Sequence, residues 1–186
     1  MEPLKIIIGA GGIHQPGWRS LEERDLDITK PEQWGRLFYP DSIDCILAEH
    51  VWEHLTPQEA LMAAANCYAY LKPGGNLRIA VPDGNHPSPH YLEWVRPGRG
   101  WNGSDHKVLY SYRTMGQLLS RVGFDVELRE FFDDQRRLHS PKPLNPEQGR
   151  IQRTFHGYSR TFVGALVSAF LDTAYTSLIV DARKPL

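Results

Sequence analysis

The residues of this 186-residue chain that are best suited to chemistry begin where Ile6-Ile7-Ile8 runs straight into Gly9-Ala10-Gly11-Gly12. A β-branched run opening into glycines is how an α/β fold brings bare backbone against a nucleotide-like cofactor. A Cβ there would collide with the ligand or forbid the tight turn. A dinucleotide fits poorly, because its fingerprint wants a third glycine or alanine ahead of a helix. Here that position is His14, and Gly12-Ile13-His14-Gln15-Pro16-Gly17-Trp18 is too short and broken to be helical. A second cluster is Glu49-His50-Val51-Trp52-Glu53-His54-Leu55. Its His50-x-x-Glu53-His54 matches the inverted zinc-peptidase pattern, two histidines around a glutamate base. A third set, His86, His90, Tyr91, Trp94, Trp101 and His106, falls in and beside a proline- and glycine-rich stretch. Histidine is the side chain that exchanges a proton near neutral pH.

Elements must position these groups. Leu4 to Ile8, Ile43 to Ala48 and Leu77 to Val81 read as short, buried strands, the last closed by Pro82. Their apolar, β-branched character is that of parallel strands covered on both sides. Thr56 to Leu71 reads as a helix, with Thr56 as N-cap, Pro57 at the first helical position and Glu59 completing a capping box. Lys72-Pro73-Gly74-Gly75 stops it. A second helix is predicted from Thr114 to Val122, ending at Gly123. Phe124 to Phe131 alternates as a half-exposed strand, and Ser177 to Ala182 is the last strand. Alternating strands and helices argue for a mostly parallel sheet with right-handed crossovers. Asn85 to Asp105 and Asp133 to Gly149 read as irregular, and loops of that length are commonly functional or disordered.

The totals bound the function. The length suits one domain, 1–186. A net charge of -1 and a pI of about 6.7 show no bias toward a polyanion, so nucleic acid is a poor partner. Cys45 and Cys67 lie in apolar surroundings and read as reduced and buried, which fits a cytoplasmic protein. Met1-Glu2-Pro3 lacks the charged and apolar regions of a signal peptide. Thr161 to Val180 is apolar but carries Asp172 and several hydroxyls, so it reads as core rather than a membrane span.

These pieces together resemble the class I S-adenosylmethionine-dependent methyltransferases of the short bacterial type. The matching residues are Ile8 to Gly12, Asp44 through Glu53-His54-Leu55, Leu71 to Gly75 with Leu77 to Asp83, and His106-Lys107 to Tyr112 with Leu118-Leu119 and Gly123-Phe124. The resemblance implies a Rossmann-like, doubly wound α/β fold: a mostly parallel sheet whose last strand is antiparallel. It also implies that S-adenosylmethionine lies over the strands' carboxyl ends, where the strand order reverses. The chain departs from the family between the first and second strands. No full helix fits there, although parallel strands normally need about a dozen connecting residues. The second strand, Arg19 to Glu23, is then short or reached by a tight loop, and Leu26 to Ser42 remains for a third strand and its helix. A trimmed fold with one thin face is expected, with a homodimer partner covering that face.

Site roles follow from the resemblance. Gly9, Ala10 and Gly11 would pass beneath the methionine portion of S-adenosylmethionine. Glu22, at the end of the second strand, would accept hydrogen bonds from the ribose hydroxyls, with Glu23 and Asp25 as rivals. Asp27 and Ile28 would border adenine. Glu49 and His50 would line the cofactor on the acceptor side, and Glu53 and His54 would fix the start of the helix. This strand-and-turn setting fits a methyltransferase better than a zinc enzyme, so no metal is expected. His90 and His106 are the candidate bases of an acceptor pocket, although each alone also reads as a surface or structural histidine. The acceptor is expected to be a small molecule, with no nucleic acid or membrane involved. The alternative is a binding or regulatory protein on the same scaffold, its pocket weakened by the missing helix.

Overall fold

A computed structural model describes residues 2–98, 105–141, 143–152 and 177–186. Trp101 and residues 161–176 of the apolar stretch lie outside them. The chain forms β1 (Lys5–Ile8), β2 (Arg19–Leu21), α1 (Pro31–Leu37), β3 (Ile43–Glu49), a one-turn 3-10 helix (Trp52–His54), α2 (Pro57–Tyr70), β4 (Leu71–Pro82), α3 (Pro89–Val95), α4 (Tyr112–Val122), β5 (Asp125–Phe132), β6 (Leu138–His139), a second one-turn 3-10 helix (Pro146–Gln148) and β7 (Ser177–Arg183). One seven-stranded sheet has the order β2-β1-β3-β4-β7-β5-β6. The β2, β1, β3 and β4 strands are parallel, and β7 runs antiparallel to both β4 and β5. This is the expected mostly parallel sheet with an antiparallel last strand. The β5–β6 hairpin adds an edge strand that was not foreseen.

The expected gap between the first two strands is present. Residues 9–18 form a loop, and Ile6, Ile7 and Ile8 pair with Arg19, Ser20 and Leu21. Only three residues of β2 need to reach β1, so a loop suffices where a longer parallel pair would need a helix. No third strand occurs among residues 26–42. That stretch holds α1, started by Pro31 and anchored by the buried Trp34, whose indole N–H donates to the Ile28 carbonyl. Two further boundaries differ from the sequence reading. The β4 strand begins at Leu71 rather than Leu77, and α3 interrupts the supposedly irregular Asn85–Asp105 stretch. Ser88 starts α3, its side chain accepting from the Tyr91 N–H.

Local chemistry explains the two main helices. The Thr56 hydroxyl accepts from the Glu59 N–H and the Glu59 carboxylate accepts from the Thr56 N–H, so both ends of the expected capping box are made. α2 buries Ala60, Ala63, Ala64 and Cys67, small residues that let it lie close on the sheet. α4 starts two residues earlier than its sequence suggests, because Ser111 and Thr114 form a second capping box. It ends at Gly123, which adopts φ 110° in the left-handed region.

Alternation along each strand divides the core. Ile6, Ile8, Ile46, Ala48, Leu77, Ile79, Val81, Leu178 and Val180 meet α1, α2 and α4 in one large cluster. On the opposite face a cross-sheet row runs Ile7, Leu47, Arg78, Asp181. Irregular chain covers this row among the described residues. Ile13, Trp18 and Ile151 pack on Ile7, Ala10 and Leu47. The Arg78 guanidinium, fully buried, pairs with Asp181 and donates to the carbonyls of Asn145 and Gly149 and to the Gln148 side chain. Gln15 exchanges two hydrogen bonds with the Arg150 backbone. Residues 145–152 of the same chain lie over this face, tied down because a buried arginine must find acceptors for its five N–H groups.

Both cysteines are free, Cys67 buried and Cys45 half-buried. Burial raises both thiol pKa values, which disfavours the thiolate. Among the described residues no helix is long and apolar enough to cross a membrane.

Candidate functional site

The paired row Leu21–Ile8–Ala48 marks the carboxyl ends of β2, β1 and β3. One residue further along each strand come Glu22, Gly9 and Glu49, so register alone gathers the expected cofactor residues at one edge. The chain passes outward from β1 to β2 and then back across β1 to β3, and a reversal of this kind opens the crevice where α/β folds bind ligands.

Gly9 and Gly11 have φ of 55° and 54°, where a side chain is strained. At Gly9 a Cβ would also lie 2.6 Å from Val51 Cγ2. The turn therefore needs glycine for a close approach of Val51 as well as for its own dihedral angle. The Ala10 N–H donates to the Leu21 carbonyl, continuing the β1–β2 ladder past the strand ends. Glu22 answers the next two amides. Its carboxylate accepts from Gly11 N–H at 2.9 Å and Gly12 N–H at 3.0 Å, one on each oxygen. The structure also separates Glu22 from its rivals: Asp25 turns its carboxylate to the Glu22 N–H, and Glu23 is exposed.

Asp27 and Ile28 serve the scaffold in their described bonds. Asp27 Oδ1 accepts from the N–H and hydroxyl of Thr29, an Asx turn leading into α1. The Ile28 carbonyl accepts from Trp34 and from Asn66 of α2. Glu49 is buried, and its Oε2 accepts from the Gln152 N–H. His50 adopts φ 54°, donates its N–H to the Ala80 carbonyl and sets its ring Nδ1 2.8 Å from Glu53 Oε1.

Glu53 and His54 do not fix the start of α2, which Thr56 and Glu59 do. The Glu53 carbonyl instead accepts from the N–H groups of Lys107 and Val108, joining the 3-10 turn to the segment before α4. The inverted zinc-peptidase geometry is absent here. His50 precedes a three-residue 3-10 turn rather than sharing one α-helical face with His54. His106 is buried, its Nδ1 2.9 Å from the Val95 carbonyl, and its ring meets His54 edge to face at 4.9 Å. His90 lies exposed on α3, so the structure does not bring the two expected bases together.

The end of β4 holds a group that sequence reading undervalued. Asp83 is fully buried, bridges to Tyr110, and accepts from the N–H groups of Asn85 and Phe132. Burial lifts its pKa to about 6 against the pull of those two amides. His86, also buried, packs its ring tilted against Tyr91 and edge to face with Phe132, and burial depresses its pKa to about 4. Tyr110 is pushed up to about 12 by burial and by the nearby Glu53 charge. Nothing near Asp83 in sequence signals this, because one partner amide comes from Phe132 on β5.

A family model described as a methyltransferase domain matches residues 11–128. The chain belongs to the methyltransferase domain family. No curated protein matches it by sequence. Solved methyltransferases share its fold at low identity. One from Archaeoglobus fulgidus, described as S-adenosylmethionine-dependent, aligns with a TM-score of 0.55 at 13% identity over 98% of this chain and 87% of that one. A structure from Bacillus halodurans gives 0.54 at 12% identity over 100% and 94%. Phosphoethanolamine N-methyltransferase 2 from Haemonchus contortus, in complex with phosphomonomethylethanolamine and S-adenosylhomocysteine, gives 0.52 at 13% identity over 100% and 50%. This methyltransferase domain therefore spans half the length of the Haemonchus enzyme.

Proposed function

We propose that this methyltransferase domain binds S-adenosylmethionine and transfers its methyl group to a small-molecule acceptor. The observation that carries the reading is the Glu22 carboxylate set against the amides of Gly11 and Gly12, at the carboxyl edge of adjacent parallel strands. An ionised carboxylate accepts about four hydrogen bonds. Glu22 thus has the chemistry to brace the turn and to receive ribose hydroxyls. Gly9, Ala10 and Gly11 offer bare backbone to the methionine portion, Glu49 and His50 border it from β3, and Asp27 and Ile28 border the adenine end. When bound, S-adenosylmethionine would supply a methyl group on a sulfonium, the neutral thioether being the leaving group for in-line attack by the acceptor. The protein's contribution is to hold the two reactants aligned. A base is needed only when the acceptor atom must lose a proton, and His106, enclosed beside the Glu53 turn, is better placed for that than the exposed His90.

A small acceptor is supported by the near-neutral charge balance, which gives no general attraction to nucleic acid. The Haemonchus enzyme that shares the fold is named for a small phosphorylated amine. Calorimetry with S-adenosylmethionine and S-adenosylhomocysteine tests the reading, and one saturable site for each is expected. No heat at millimolar ligand would move the protein to a non-catalytic role on this scaffold. Acceptors are then screened by release of the demethylated product.

A further inference from the structure

We infer that Glu53, His54 and His106 form a binding site for one divalent transition-metal ion, with zinc the best match to the ligand set. One ligating atom from each of the three lies within 4.8 Å of the others. The site joins the 3-10 turn after β3 to the segment before α4, two pieces of chain already bonded through Glu53 and Lys107.

Three features separate this cluster from a chance meeting of polar side chains. Glu53 is 1% exposed, yet its Oε2 has no hydrogen-bond partner among the described residues, while Oε1 is engaged by His50. A buried carboxylate oxygen left without a partner is costly, and a cation would satisfy it. The His106 imidazole is held in the form a metal requires. His106 Nδ1 lies 2.9 Å from the Val95 carbonyl, which only accepts, so Nδ1 carries the proton and Nε2 keeps its lone pair. His54 Nδ1 lies 3.0 Å from Oδ2 of the exposed Asp105. An imidazole whose far N–H is held by a carboxylate or carbonyl is the usual outer support of a metal ligand. Two imidazoles and one carboxylate suit zinc, and three protein ligands leave a position open to water or to a substrate oxygen. A metal in that place would polarise an acceptor oxygen directly, and His106 would then act as ligand in place of base.

The site does not depend on the methyl-transfer reading and is tested with zinc alone. The purified full chain, stripped with chelator, is titrated with Zn2+ against a chromogenic competitor, and Co2+ is used as a spectroscopic substitute. One equivalent of zinc is expected, with visible Co2+ absorption of a site of low coordination number. His106→Ala and His54→Gln are each expected to weaken binding by at least about 100-fold, beyond the 10–100-fold typical of outer-shell losses. His139→Ala should leave it unchanged. His54→Gln, at a half-exposed position, keeps the test open if the buried His106 variant fails to fold. Absence of a stoichiometric site in the parent, or equal binding by the His54 and His139 variants, would overturn the assignment.

Discussion

Asp83 and His86, three residues apart where the chain leaves β4, are buried side chains that respond to pH in opposite senses. Asp83 has its pKa raised from 3.8 to about 6 by burial. Its contribution to stability is complete below the unfolded value and is lost as pH climbs through the folded one, which is about 3 kcal/mol at 1.36 kcal/mol per pKa unit. His86 has its pKa lowered from 6.5 to about 4, also by burial. Its contribution is complete above the unfolded value and is lost as pH falls through the folded one, again about 3 kcal/mol. Over roughly pH 4 to 6.5 the two slopes cancel. His86→Phe keeps a ring against Tyr91 and Phe132 and removes one slope, and Asp83→Asn removes the other. Urea denaturation at half-unit steps of pH gives the stability of each variant relative to the parent, so groups common to both drop out. The His86→Phe difference should fall by about 3 kcal/mol as pH rises across the window, and the Asp83→Asn difference should rise by about as much. Differences that stay flat to within about 0.5 kcal/mol, the usual limit of additivity, would refute the reasoning.

Three further outcomes follow from the site and its supports. Glu22→Ala should weaken S-adenosylmethionine binding by about 1–3 kcal/mol, as for a charge-assisted hydrogen bond, measured by calorimetry; an unchanged dissociation constant would move the ribose contact elsewhere. Gly9→Ala places a methyl group against Val51 and strains a left-handed residue, so the melting temperature and cofactor affinity should both fall, with a stability loss of about 1–3 kcal/mol. Arg78→Met should cost about 3–5 kcal/mol in urea denaturation and expose residues 143–152 to protease, because it strips the carbonyls of Asn145 and Gly149 and one partner of Asp181.

Much of the scaffold was legible because its signals are local. The Thr56–Glu59 box, the Gly123 stop and the isoleucine run into Gly9 are short-range patterns with a direct steric or hydrogen-bonding cause. The loop in place of the first crossover helix was legible as well, since proline and glycine at 16 and 17 forbid one. The α4 start was misplaced by two residues because Ser111 and Thr114 form a capping box that the helical pattern alone does not reveal. The self-covered face was missed for a different reason: Arg78 reads as an ordinary strand residue until its partners from residues 145–149 and Asp181 are known.

The composition and order of residues determined the family, the strand-and-helix alternation and the glycine edge, because each rests on neighbours within a few positions. Tertiary structure alone decided which acid faces that edge, that Glu53 bonds Lys107 and Val108 rather than the start of its own helix, and that Asp83 and His86 are buried. Those outcomes depend on register between distant strands and on solvent exclusion, and both are properties of the packed sheet rather than of any stretch of chain.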